Sequence, residues 1–171
     1  MDTRPPEAAP VTADRQVTSL YQAHALSLAR LALLMLGDAD AAQDVVQDAF
    51  LGLYRRWDKL ASTEAAPAYL RSSVLNGCRT VLKRRSRPAI GPAVELLESA
   101  EAAVMHTEEQ RAVLAAIRRL PARQREALVL RYYLDMTEDQ AARAMGVTRG
   151  TVKSATSRAV AAVGRMLKEE S

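Results

Sequence analysis

Near the C-terminal end, Arg149, Lys153 and Ser157 recur every fourth residue, with Ser154 and Arg158 beside them. At helical spacing they form one stripe of hydrogen-bond donors and fixed cations. Such a stripe suits one kind of chemistry: donors near a helix N-terminus meet base edges in the major groove, and further cations meet phosphates. Val152, Ala155, Ala159 and Val163 also recur at helical spacing and face the domain interior. The plainer reading is a solvated basic face on a packing helix, and the neighbouring elements decide between the two.

Those elements read as a helix-turn-helix running from Glu138 through Ala142 and Gly146 to Lys153. Two helices crossing over a three-residue turn need a small residue where their backbones meet, which Ala142 supplies, and a residue tolerant of positive φ in the turn, which Gly146 supplies. Thr137 with Gln140 predicts a capping box for the first helix, and Thr148 caps the second. Turn, caps and basic stripe agree, so duplex DNA is the first partner to consider.

The 171 residues allow one ordinary domain or two small ones, and no stretch reads as a membrane span or secretory leader, which predicts a soluble, cytoplasmic protein. Residues 1–13 hold three prolines and no apolar periodicity, as a disordered tail does. A single Cys78 rules out an internal disulfide and reads as core filler. With only His24 and His106, no metal-ligand cluster assembles by spacing, and no metal or cofactor is expected. The net charge is +4, but its distribution says more. Asp38 to Asp48 holds four acids and no base, Arg71 to Arg87 six bases and no acid, and Pro88 to Gln110 five glutamates and no Lys or Arg. Segregation of this kind predicts separate surfaces for separate partners.

The composition is Ala- and Leu-rich, with one Phe and no alternating apolar and polar run, which predicts an all-α chain. A first helix spans about Asp14 to Leu36, with Val17, Leu20, Tyr21, His24, Leu28, Leu31 and Met35 inward; Leu26, Leu33 and Leu34 widen its stripe, and His24 reads as a hydrogen-bonded core histidine. Gly37 stops it, Asp38 or Asp40 caps the next, and that helix reaches about Trp57 with Val46, Phe50, Leu53 and Trp57 inward. After a loop through Ser62 and Thr63, Pro67 opens a third helix with Leu70, Val74, Cys78 and Val81 inward. Residues 88–106 read as a flexible acidic linker. Thr107 with Gln110 predicts a second capping box, opening a helix with Val113, Leu114, Ile117 and Leu120 apolar. Pro121 starts another from Arg123 to Leu134, and the helix-turn-helix completes a four-helix unit over 107–171.

This order of elements resembles the extracytoplasmic-function (ECF) sigma factors, the smallest class of bacterial RNA polymerase sigma subunits. The stretches that carry the resemblance are Gly37-Asp38 through Gln43-Asp44 to Phe50, Tyr54-Arg55-Arg56-Trp57, Ala68-Tyr69-Leu70-Arg71 through Asn76 to Lys83-Arg84-Arg85, Leu120-Pro121 through Arg125-Glu126, Leu130-Arg131-Tyr132, and Gly146 through Ser154. Thr151 through Ala159 is similar to the SigE-family subgroup, although many other members carry Arg in place of Ala155 and Asp in place of Thr80.

The resemblance implies two helical domains, sigma region 2 over residues 14–87 and sigma region 4 over residues 107–171. It implies that the second helix binds the clamp helices of the polymerase largest subunit through Asp44, Gln47, Asp48, Leu51 and Arg55. The third helix and the loop before it, residues 58–66, would hold the melted minus-ten element, with Ser72, Asn76, Arg79, Lys83, Arg84 and Arg85 facing the strand and one base flipped out. The minus-thirty-five duplex would meet Arg149, Thr151, Lys153, Ser154, Ser157 and Arg158, with Gln140 and Arg165 on phosphates. The linker would thread toward the positively charged RNA path. Family members are often held inactive by an anti-sigma protein, which makes one a candidate partner, and the free chain is expected to be a monomer. Two other readings compete: a self-sufficient helix-turn-helix regulator, and a helical enzyme acting on nucleic acid. The acids of residues 38–48 lie along helix surfaces without converging partners, which disfavours the enzyme and leaves no catalytic residue to name.

Overall fold

The structure is a computed structural model that describes residues 12–86 and 107–169. Most of the expected tail and all of the expected linker, with Arg87, lie outside the described residues. Seven α-helices and no strand make up the described chain. Helices α1 (Ala13–Leu36), α2 (Ala39–Arg55) and α3 (Ala66–Arg85) form the first unit, with 3-10 turns at Trp57–Lys59 and Thr63–Ala65 between α2 and α3. Helices α4 (Glu108–Arg118), α5 (Ala122–Leu128), α6 (Glu138–Met145) and α7 (Arg149–Glu169) form the second.

Local chemistry sets these boundaries. Gly37 takes a left-handed conformation at φ 68° and returns its N–H to Leu33 O, ending α1. One residue on, Asp38 Oδ1 accepts from the Asp40 and Ala41 amides and caps α2. Pro67 occupies the first turn of α3, where its missing N–H costs nothing. Gly77 lets α3 lie close on α2, because a Cβ there would sit 2.8 Å from Val45 Cγ1.

Leu31, Met35, Val46, Phe50, Leu53, Leu70, Val74 and Cys78 fill the core of the first unit, and a continuous buried cluster runs on to Val129, Leu130, Ala142 and Val152 in the second. The C-terminal half of α1 is therefore covered from both units. Its N-terminal half is not, which overturns three sequence expectations. Tyr21 is half exposed with its ring edge-on to Phe50 at 5.0 Å, His24 is half-buried, and Leu26 is 65% exposed. By length and composition alone α1 is apolar enough to cross a membrane, contrary to the expectation that no stretch would be, yet it packs on α2, α3 and the second unit through Leu28, Leu31, Ala32 and Met35.

The helix expected to run to Leu134 departs from α geometry at Val129–Tyr133, which forms a π-helical turn. Leu134 N–H reaches back to Val129 O, Met136 N–H reaches Leu130 O, and Asp135 takes φ 51° as the chain reverses. Val113, one of the apolar residues of α4, is exposed and lines an apolar groove.

Burial pushes the Cys78 thiol up to about 12, with the Glu126 charge adding to the effect. Native protein is therefore expected to resist iodoacetamide at pH 8 and to alkylate only after denaturation, as read by mass spectrometry. Gly146 sits at φ 65° with open space around it, so Gly146→Ala should cost about 1–2 kcal/mol from backbone strain alone, with Gly146→Asn milder, in urea unfolding.

Candidate nucleic-acid interface

The helix-turn-helix forms as the residue types require. Thr137 Oγ1 accepts from the Gln140 amide while Gln140 Oε1 accepts from the Thr137 amide, closing the capping box. Ala142 is buried at the crossing, and Val147 N–H returns to Ala142 O to close the turn after Gly146. Thr148 Oγ1 accepts from the Thr151 amide and caps α7. Val152 and Ala159 are fully buried, with Ala155 and Val163 half-buried, and this fixes the rotation of α7. Arg149, Thr151, Lys153, Ser154, Ser157, Arg158 and Arg165 of α7 and Gln140 of α6 all stand exposed.

Several of these groups already have partners. Arg149 Nε donates to Glu138 Oε2 at 2.8 Å, and Asp139 lies 3.9 Å from its Nη1. Ser154 Oγ donates to Gly150 O at 2.9 Å, and the Thr151 hydroxyl lies 2.9 Å from that of Thr148. The amide oxygen of Gln140 serves the cap, and its exposed side chain still carries an amino group that can donate.

On α3, Ser72, Asn76, Lys83, Arg84 and Arg85 are exposed and Arg79 is half-buried. Ser72, Ser73 and Asn76 line a polar cleft of about 510 Å³ with Gly52, Arg55, Arg56 and Tyr69. Gly52 keeps that cleft open, since a Cβ there would lie 3.1 Å from the Tyr69 hydroxyl. Thr80, standing where an Asp is common in the resemblance, donates its hydroxyl to Asn76 O at 3.0 Å. Arg85 does not extend the positive face as the sequence count suggested. Its Nη1 donates to Leu36 O and its Nη2 to Asp38 Oδ2, which fastens the end of α3 to the α1–α2 junction. On the outer side of α2, Asp44, Gln47, Asp48, Leu51 and Arg55 are all exposed, opposite the buried Val46, Phe50 and Leu53.

Sequence reasoning assigned no role to three residues that organise these surfaces. Glu126 is 8% exposed and accepts from Arg79 Nε at 2.9 Å and from Arg79 Nη2. Arg125 fans into carbonyls at the end of α4 and beyond, donating to Ile117 O, Arg118 O and Leu120 O and across to Met35 O at 2.7 Å. Burial lowers its pKa, with the Arg118 and Arg85 charges adding to the effect. Glu138 tethers Arg149. Helix C-termini present carbonyls without intrahelical partners, so an arginine seven residues past the end of α4 was a readable signal; the Glu126 pairing spans 47 positions and was not. Among the described residues no three His, Cys, Asp or Glu side chains gather as a metal would require.

Comparison with known proteins gives the same layout. Residues 20–88 match the Sigma-70 region 2 family and residues 110–163 match the Sigma-70, region 4 family. The RNA polymerase sigma-E factor of Streptomyces avermitilis is 35% identical over 136 residues, covering 79% of this chain and 75% of that one. The ECF RNA polymerase sigma factor SigM of Mycobacterium tuberculosis is 33% identical over 161 residues, covering 94% and 82%. Among solved structures, the sigma factor RpoE in complex with the anti-sigma factor NepR from Bartonella quintana shares the fold at a TM-score of 0.67 and 23% identity, over 88% of this chain and 98% of that one. CnrH in complex with the cytosolic domain of CnrY does so at 0.65 and 22%, over 93% and 96%. Two sigma-70 regions in this order, with relatives of this identity and coverage, place the chain among the ECF RNA polymerase sigma factors. It is an alternative sigma factor that directs transcription initiation with core RNA polymerase at promoter DNA, which displaces the reading as a self-sufficient regulator.

The hydrogen bond from Arg149 holds the Glu138 carboxyl below the ordinary glutamate value of 4.5; desolvation opposes this, and the charges of Arg149, Lys153 and Arg131 reinforce it. A carboxyl depressed on folding contributes above its unfolded pKa and loses that contribution as pH falls through the folded one. Carboxyl-detected NMR should therefore find Glu138 titrating below 4.5, with the Arg149 Nε resonance changing over the same interval; the tether is refuted if Glu138 titrates as in the unfolded chain.

Proposed function

We propose that three surfaces of this sigma factor divide the work of initiation. The outer face of α2, with Asp44, Gln47, Asp48, Leu51 and Arg55, docks on the clamp helices of the largest polymerase subunit. Its mixture of acids and one large apolar side chain suits a protein partner and repels DNA phosphates. The face of α3 with Ser72, Asn76, Arg79, Lys83 and Arg84 holds the melted minus-ten strand, and the cleft beside Asn76 takes a flipped base. The carboxamide of Asn76 can both donate to and accept from a base edge, while the neighbouring cations hold the backbone.

The N-terminal half of α7 enters the major groove of the minus-thirty-five element. Arg149, Lys153, Ser154, Ser157 and Arg158 lie nearest the bases, Thr151 flanks them, and Gln140 and Arg165 lie toward phosphates. The observation that carries this reading is the rotation of α7, fixed by buried Val152 and Ala159, which leaves all of the α7 side chains named here in solvent. The bonds of Arg85 to Leu36 O and Asp38 Oδ2 support assigning it to the α1–α2 junction in place of the strand-holding set.

The chain works in the cytoplasm, where polymerase and promoter are, as a positioning factor that leaves the chemistry to polymerase. The groove lined by Leu34, Val113, Ile117, Val129, Tyr132 and Val160, with Tyr132 70% exposed, supports docking of an apolar helix from an anti-sigma protein.

With purified core polymerase and a cognate promoter, Arg149→Ala and Lys153→Ala should each weaken discrimination at one minus-thirty-five base pair by about 1–3 kcal/mol in competition transcription assays. Equal loss on every sequence would reassign that residue to a phosphate. Asp44→Arg with Asp48→Arg should weaken association with core polymerase on the order of tenfold by fluorescence titration. Unchanged affinity would remove α2 from the polymerase interface.

A further inference from the structure

Arg79 belongs to the strand-holding face of α3, yet its guanidinium reaches into the second unit. Its Nε and Nη2 donate to Glu126 Oε1 on α5, its Nη2 donates to Ala144 O at 2.7 Å, and its Nη1 donates to Asn76 Oδ1 at 2.8 Å. Ala144 lies in the last turn of α6, where carbonyls lack intrahelical partners and the helix dipole is negative. Glu126 is the one buried charged side chain among the described residues. A carboxylate and a phosphate present paired oxygens of like charge to the guanidinium fork, so each satisfies the same donors.

We infer that Glu126 acts as an internal stand-in for a promoter phosphate, so that the second unit and the melted strand compete for Arg79 and Asn76. This rests on the reading of α3 as the strand-holding face. In the closed chain Glu126 and Ala144 take three of the five guanidinium N–H donors and a fourth occupies one lone pair of Asn76 Oδ1, so two strand-binding groups are engaged together. Arg125 to Met35 O and the Tyr133 hydroxyl to Ser27 O, at 2.7 and 3.1 Å, close the same interface from the other side.

The closed form cannot serve both promoter elements. The minus-ten and minus-thirty-five positions lie about 25 base pairs apart, or about 80 Å along B-form DNA, whereas Arg79 joins the strand-holding helix to the first helix of the helix-turn-helix by a direct hydrogen bond. Reading both elements therefore requires the two units to separate. Separation frees Arg79 for a phosphate and returns Glu126 to water, so neither charge is left buried alone. Strand capture and opening become one reciprocal equilibrium, since whatever favours one favours the other.

The full-length chain tests this with spin labels on Glu64→Cys and Lys168→Cys, both exposed, while buried Cys78 stays unlabelled. Double electron–electron resonance should give a short distance in the parent chain. Glu126→Gln should raise the long-distance population on the order of tenfold, and Arg79→Gln, altered in the first unit and unable to unfold the second, should do the same. A fluorescent single-stranded oligonucleotide of mixed sequence should bind the Glu126→Gln chain about tenfold more tightly than the parent and should itself lengthen the parent distance. Unchanged distances in both variants overturn the latch; lengthened distances with unchanged oligonucleotide affinity overturn the competition. Failure of the strand-holding reading would appear separately, as promoter opening by holoenzyme that is indifferent to Asn76→Ala.

Discussion

Arginine is asked to do two things in this chain that one side chain cannot do at once, and the structure depends on how the arginines are divided. A guanidinium must be hydrogen-bonded all round when it is covered and must be accessible when it is to meet a phosphate. Arg125 and Arg85 serve the fold: one gathers carbonyls at the end of α4 and at Met35, and the other pins α3 to Leu36 and Asp38. Arg158 and Arg165 are left wholly to the surface, with Lys153 and Lys83. Arg149 is tethered by Glu138 without being covered, which orients its fork and leaves it in solvent. Arg79 alone has been placed on both sides of the division.

The helix boundaries and the exposure of the polar stripes on α2 and α7 were readable because local chemistry determines them. Capping boxes at Thr107 and Thr137, the stop at Gly37, the cap at Asp38 and the turn at Gly146 each involve residues within a few positions of one another. The 3.6-residue period then sets the rotation of α2 and α7, which puts their polar stripes outward with no knowledge of the rest. Periodicity was less informative for α1, because an apolar stripe states a capacity for burial and not which half finds a partner. Tyr21 and Leu26 remain in solvent on a helix whose C-terminal half is enclosed. The π turn at Val129–Tyr133 was illegible for a related reason: one extra residue in a helical turn changes hydrogen-bond register and leaves composition untouched.

Least legible was the contact between the units. Glu126 reads in sequence as one more surface acid in a charged segment, and Arg79 as one more base in a run of six. Only tertiary proximity pairs them across 47 positions, and that pairing engages one of the cations of the basic helix with the second unit. Charge sorting along the chain thus has two layers. The coarse one separates an acidic outer face on α2 from basic faces on α3 and α7, and the fine one uses a single acid to join the α3 face to the second unit.

The central claim is that this chain selects promoters as one part of polymerase, through two DNA-reading surfaces that act at a distance from each other. Sequencing transcripts made from a randomised promoter pool by core polymerase, with and without the purified chain, measures this directly. The account predicts that templates enriched only when both are present share two short motifs, with their centres about 25 base pairs apart. Enrichment of a single motif, equally recovered from DNA bound by the chain without polymerase, would contradict it.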